Sequence, residues 1–151
     1  MQPRIIAVRG VNNCGKTTAI KMAYETFLAR ATSVVPVNLR HKEVRGAVIE
    51  IDGVKVGWIS LGDYEGILQE WIDYLLDEHD CEVVVCACRS YGGTANYLYG
   101  LENAGYAITW VRKARVEEAS FRQANRRKAA ELVKAIEAAV VAVNGELSAT
   151  A

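Results

Sequence analysis

A chain of 151 residues, 51% of them apolar, has the length of one compact domain and enough apolar side chains to bury a core without disulfide or metal staples. Eighteen basic residues balance eighteen acidic ones, which excludes a global field drawing the molecule onto nucleic acid or an anionic membrane and leaves only a local basic patch open. No window approaches the roughly 18 apolar residues of a membrane span, and Cys14, Cys81, Cys86 and Cys88 show neither C-x-x-C spacing nor neighbouring histidines, so the expectation is a cytoplasmic protein with reduced thiols.

Taken in order, residues 4 to 9 are a short β-branched run ended by Gly10, the pattern of a buried strand leaving a sheet. Ile20, Ala23, Phe27 and Leu28 then recur at helical spacing and predict a helix over 16–30. A second strand is expected over 34–39, followed by an antiparallel hairpin at about 44–61. With Asp52-Gly53 as its two-residue turn, Ile51 faces Val54, Ile49 faces Val56, Ala47 faces Trp58, and Glu50 meets Lys55 on the other face. From Ile67 the apolar spacing through Leu76 predicts an amphipathic helix closed by the polar stretch Asp77 to Asp80. Residues 82–88 do not alternate, which predicts a central strand buried on both faces. Gly92-Gly93 marks a loop, a short helix begins near Thr94, and residues 107–111 supply a last strand. Ala129, Leu132, Val133, Ile136, Val140 and Val143 place a terminal helix over about 116–143. This alternation predicts a single α/β domain over 1–145, its sheet mostly parallel apart from the hairpin, with a disordered tail at 146–151.

The chemistry concentrates between the first strand and the first helix. Gly10-Val-Asn12-Asn13-Cys14-Gly15-Lys16-Thr17 fits G-x-x-x-x-G-K-[ST], and Thr18 continues it into the helix. Glycines at these positions let the backbone turn so that successive N–H groups point at phosphate oxygens, the helix terminus adds its positive dipole end, Lys16 reaches β and γ phosphates, and the Thr17 hydroxyl can ligate Mg²⁺. A chance match in a chain of this length is on the order of one in a hundred from average residue usage. The bland reading, a glycine-rich turn beside a surface lysine, is the weaker one.

On these residues the chain resembles the P-loop NTPase superfamily, which implies a P-loop NTPase domain binding ATP or another NTP with Mg²⁺. A P-loop needs a carboxylate at the end of a neighbouring strand to hold the metal's waters, and Asp63 is the candidate; as the residue before a helix it equally suits an N-cap. Asp63-Tyr64-Glu65-Gly66 is similar to the D-x-x-G segment of Ras-like GTPases. The guanine motif N-K-x-D of that family has no counterpart: the corresponding strand runs into Cys88-Arg89-Ser90-Tyr91, which looks like the D-R-[YS] motif of thymidylate and deoxynucleoside kinases, with Arg89 at the substrate- or phosphate-contacting arginine and Cys88 in place of the acidic residue. Those kinases also carry spaced arginines on a lid helix, and Arg122 and Arg126, four apart on one helix face, are the matching pair; a solvated face balanced by Glu117 and Glu118 is the alternative.

The resemblance implies a kinase moving the γ-phosphate of ATP to a nucleotide, nucleoside or similar small acceptor, with Lys16, Asp63, Arg89, Arg122 and Arg126 as its catalytic set. The alternatives are a regulatory NTPase switch, a kinase acting on a nucleic acid end or base, and an assembly subunit that holds nucleotide without transferring it. No membrane partner is expected. The acceptor, the preference for ATP or GTP and the oligomeric state are not written in the sequence.

Overall fold

A computed structural model describes residues 3–10, 15–38, 45–59, 65–90, 92–113 and 121–150. Among these residues six strands, β1 (Arg4–Arg9), β2 (Ser33–Asn38), β3 (Arg45–Ile51), β4 (Val54–Ile59), β5 (Val83–Cys88) and β6 (Ala107–Arg112), form one sheet in the order β2-β3-β4-β5-β1-β6. The described helices that flank it are α1 (Lys16–Leu28), α2 (Glu65–Asp77), α3 (Gly93–Asn103) and α4 (Phe121–Thr150). β3 runs antiparallel to β2 and to β4, while β4, β5, β1 and β6 pair in parallel.

The hairpin forms in the register its side chains dictate: Ile51 opposes Val54, Ile49 Val56, Glu50 Lys55 and Ala47 Trp58. Asp52 and Gly53 turn it with positive φ at both positions, 50° and 81°, as a type I′ connection demands. All six residues of β5 are buried, in agreement with its unbroken apolar run.

Alternation along the strands makes two cores. Ile6 and Val8 of β1, Val56 and Trp58 of β4, and Val83, Val85 and Ala87 of β5 pack against Ile20, Ala23 and Phe27 of α1 and Leu132, Ile136 and Val140 of α4. On the opposite face Ile5, Ala7, Val84 and Cys86 meet Leu68, Trp71, Ile72 and Leu75 of α2 and Leu98 of α3. No described helix is long and apolar enough to cross a membrane.

One expectation is corrected. β4 is not next to β1, because the doubly buried β5 takes the place beside it; at about 4.8 Å per strand, β4 lies about 10 Å from β1. α4 runs to Thr150. The helix end is tied down: Arg4 of β1 forms an ion pair with Glu146, and Asn144 Nδ2 donates to Asp52 O at 3.2 Å across the hairpin turn. The expected start of this helix, at 116–120, lies outside the described residues.

Cys81, Cys86 and Cys88 are unpaired thiols. Burial pushes Cys81 up to about 12 and Cys88 up to about 11, the latter against the lowering charges of Lys16 and Arg9, and raises Cys86 as well. These thiols should resist Ellman's reagent at pH 8 in the folded protein and react on unfolding. Since the folded state holds their protons more tightly than the unfolded chain, their contribution to stability is complete below about pH 8.5 and is lost as pH rises through 11 to 12. The melting temperature should therefore fall across that alkaline window, and less steeply in Cys86→Ala.

Candidate functional site

β1 and β5 are adjacent and parallel, yet the helices that follow them leave on opposite faces of the sheet, α1 with one core and α3 with the other. Such a divergence opens a crevice at the carboxyl ends of the two strands, the usual ligand position in an open α/β sheet. Gly10 leaves β1 there, its N–H donating to Cys88 O at 3.2 Å, and Lys113 closes the other side with its N–H on Arg9 O at 2.7 Å.

Lys16 begins α1 and is 7% exposed. Its ammonium donates to Gly10 O at 2.7 Å and to Cys88 O at 3.0 Å, so its head is fixed at the ends of β1 and β5 rather than in solvent. Gly15, the N-cap of α1, takes φ 97°, a left-handed conformation natural to glycine, and offers no side chain to cap the helix; no acidic residue occupies the first turn. The terminus therefore presents the positive end of its dipole with no acidic residue in its own first turn. Thr17 and Thr18 follow, both exposed.

Arg89 stands immediately after β5, half-buried, with its backbone N–H on Thr94 Oγ1 at 3.1 Å; Thr94 is buried in the first turn of α3 and pins the segment. Gly10, Lys16 and Arg89 are thus brought to one end of the sheet. Cys88, which stands where an acidic residue was sought, lies buried with its thiol raised to about 11, so it stays protonated near neutral pH and is no general base. Arg122 and Arg126 are both exposed on α4, and Arg126 lines a groove with Met22 and Thr26 of α1. Asn12, Asn13, Cys14 and Asp63 lie outside the described residues. Among the described residues no group of three or more His, Cys, Asp or Glu side chains gathers to hold a metal.

Three residues were not anticipated. Arg9 ends β1 with its Nη2 on Ser90 O at 3.0 Å and its guanidinium 5.7 Å from the Tyr99 ring and 5.5 Å from the Trp110 ring, so α3 and β6 hold a further cation at the crevice. Lys113, 3% exposed, adds another just after β6. Asn125 is 7% exposed and its Oδ1 is buried without a hydrogen-bond partner among the described residues. A Cβ on Gly15 would lie 2.4 Å from that oxygen, so the amide of Asn125 sits directly against the start of α1. Asn125 falls in phase with Ala129, Leu132 and Ile136, and a polar residue on that apolar stripe was the available signal.

Compared with family models, with curated proteins and with solved structures, the chain matches none.

The Gly15–Asn125 contact gives a testable coupling. Gly15→Ala combines a left-handed strain of about 1–2 kcal/mol with the clash against Asn125. Asn125→Ala added to it should recover the clash but not the strain, so the two changes will be non-additive by about 1 kcal/mol or more in a double-mutant cycle read by denaturant melts.

Proposed function

We propose that the chain is an ATP-dependent phosphotransferase whose Gly10–Thr17 segment holds the triphosphate. The observation that supports this best is the lysine fixed by two strand-end carbonyls beside a helix terminus whose N-cap residue, Gly15, has no side chain to cap it. Added to it are the cations Arg9, Arg89 and Lys113, gathered at one end of a sheet in a protein whose net charge is zero. Transfer of a phosphoryl group asks mainly for positioning and charge neutralisation, and this end of the sheet offers both.

In this reading the backbone of the loop cradles the phosphates, Lys16 meets the β and γ groups, and Arg89 meets the transferred group or the acceptor. Mg²⁺ takes few protein ligands and keeps waters and substrate phosphates for the rest, so one exposed hydroxyl, that of Thr17, suits it, with Asp63 as the second oxygen donor. The ion would neutralise charge between the β and γ phosphates. Arg122 and Arg126, on the exposed face of α4, belong to the closing of the site over its ligand.

The well-formed hairpin ahead of Asp63 favours a second reading, a nucleotide switch whose 63–66 segment answers to the γ-phosphate. Offering γ-labelled ATP with a panel of nucleosides, monophosphates and oligonucleotides separates the two. A kinase gives acceptor-dependent ADP and a labelled product. Slow hydrolysis indifferent to every acceptor, with protease sensitivity that changes between nucleotide states, contradicts the transferase and supports the switch.

A further inference from the structure

Among its described residues α4 buries a single polar side chain, Asn125, which is 7% exposed and lies in phase with Ala129, Leu132 and Ile136. A Cβ built on Gly15 would stand 2.4 Å from its Oδ1, 3.1 Å from its amide carbon and 3.2 Å from its Nδ2, so the whole amide lies over that glycine. We propose that Asn125 is a positioning residue of the phosphate site, acting from α4 through the backbone of Gly15 to hold the turn that opens α1 in its phosphate-binding shape. The assignment rests on the reading of Gly10–Thr17 as that site.

Three observations carry it. The Oδ1 atom is buried without a hydrogen-bond partner among the described residues. An acceptor left so is costly, and an apolar residue at this point of the stripe would spare the fold that cost, so stability alone does not account for an amide here. The second observation is its place. Gly15, the N-cap of α1 at φ 97°, makes no side-chain cap, so the polar group that reaches this helix start comes from another element. The third is charge. A carboxylate at position 125 would itself answer the positive end of the α1 dipole, whereas an amide brings an acceptor with no net charge and leaves the anion to the ligand. Oδ1 has no surface of its own for a ligand to touch. Its influence therefore passes through Gly15, whose left-handed conformation sets where the amides on either side of it point.

The test compares wild-type, Asn125→Leu and Asn125→Asp full-length proteins by thermal melts and by calorimetry with MgATP and with inorganic triphosphate plus Mg²⁺. Asn125→Leu copies the branched shape of asparagine and removes the unanswered oxygen. It should melt at or above the wild-type temperature while binding both ligands about tenfold more weakly. Asn125→Asp, whose carboxylate competes with phosphate for the helix start, should bind both more weakly still. A fall in affinity with no fall in stability is a result that a packing role alone does not produce.

Wild-type affinity in either folded variant would overturn the proposal, and so would a folded Asn125→Leu protein that loses affinity and melting temperature together. Should Asn125→Leu not fold, Asn125→Asp decides alone by its affinity for the two ligands. A wild-type protein that binds neither ligand would overturn instead the phosphate site on which the assignment rests.

Discussion

Lys16→Ala is expected to weaken MgATP binding about ten- to a hundredfold while the protein still melts cooperatively. The ammonium sits between Gly10 O and Cys88 O at 2.7 and 3.0 Å, and a charge-assisted hydrogen bond is worth about 1.5–3 kcal/mol; about 2.7 kcal/mol is a hundredfold in affinity. The stability loss should be smaller, about 1–3 kcal/mol, since two carbonyls lose a donor but no core side chain is removed. Lys16→Arg should not rescue binding. A planar guanidinium cannot replace a compact ammonium in a position that is 7% exposed and defined by two converging carbonyls. Displacement of a fluorescent ATP analogue, with a thermal melt of each variant, checks both halves. Unchanged affinity in a folded Lys16→Ala protein would contradict the assigned role.

Trp71→Ala should be the most damaging core substitution. Trp71 is fully buried on α2, packs edge to face on Tyr74 at 6.1 Å, and fills the space over Gly46, where a Cβ would stand 3.1 Å from the indole ring. Truncation of such a ring costs about 3–5 kcal/mol, set against a total stability of about 5–15 kcal/mol. Trp71→Phe should cost clearly less. The indole N–H is buried without a partner among the described residues, so phenylalanine loses volume but also removes an unsatisfied donor whose burial costs about 1–3 kcal/mol. Urea melts of the two variants check the order; equal losses would show that the N–H finds a partner the described residues do not include.

What could be read from sequence was local. The hairpin register follows from side chains on two consecutive strands joined by a tight turn, and every pair from Ile51–Val54 to Ala47–Trp58 forms as its pattern requires. The unbroken apolar run of β5 likewise identifies a central strand. Strand order is a non-local property. Nothing in residues 54–63 signals that β5 will lie between β4 and β1, so Asp63 was assigned to a neighbouring strand that the sheet places one position further off. The partners of the end of α4 are non-local in the same way, since Arg4 and Asp52, which hold Glu146 and Asn144, come from distant parts of the chain.

The site was legible where its chemistry lies in one continuous segment and obscure where it is assembled. Gly10, Gly15, Lys16 and Thr17 stand in a spaced motif, and Arg89 follows a recognisable strand. Arg9 reads as an ordinary strand-end arginine until Tyr99 and Trp110 are placed against it by α3 and β6. Arg122 and Arg126 were chosen for charge and spacing, but the residue between them that points inward is Asn125, because helical phase and not charge decides which side chain reaches Gly15.

The most direct measurement is calorimetric titration of the unmodified protein with ATP and with GTP, each with and without Mg²⁺. Saturable one-to-one heat with at least one triphosphate, strengthened by the metal and much weaker for the corresponding nucleoside monophosphate, is the expected result, since in the proposed reading the loop and Lys16 grip phosphates rather than the base. No heat with either triphosphate, from a protein shown to be folded by its melt, would contradict a phosphate site at the start of α1.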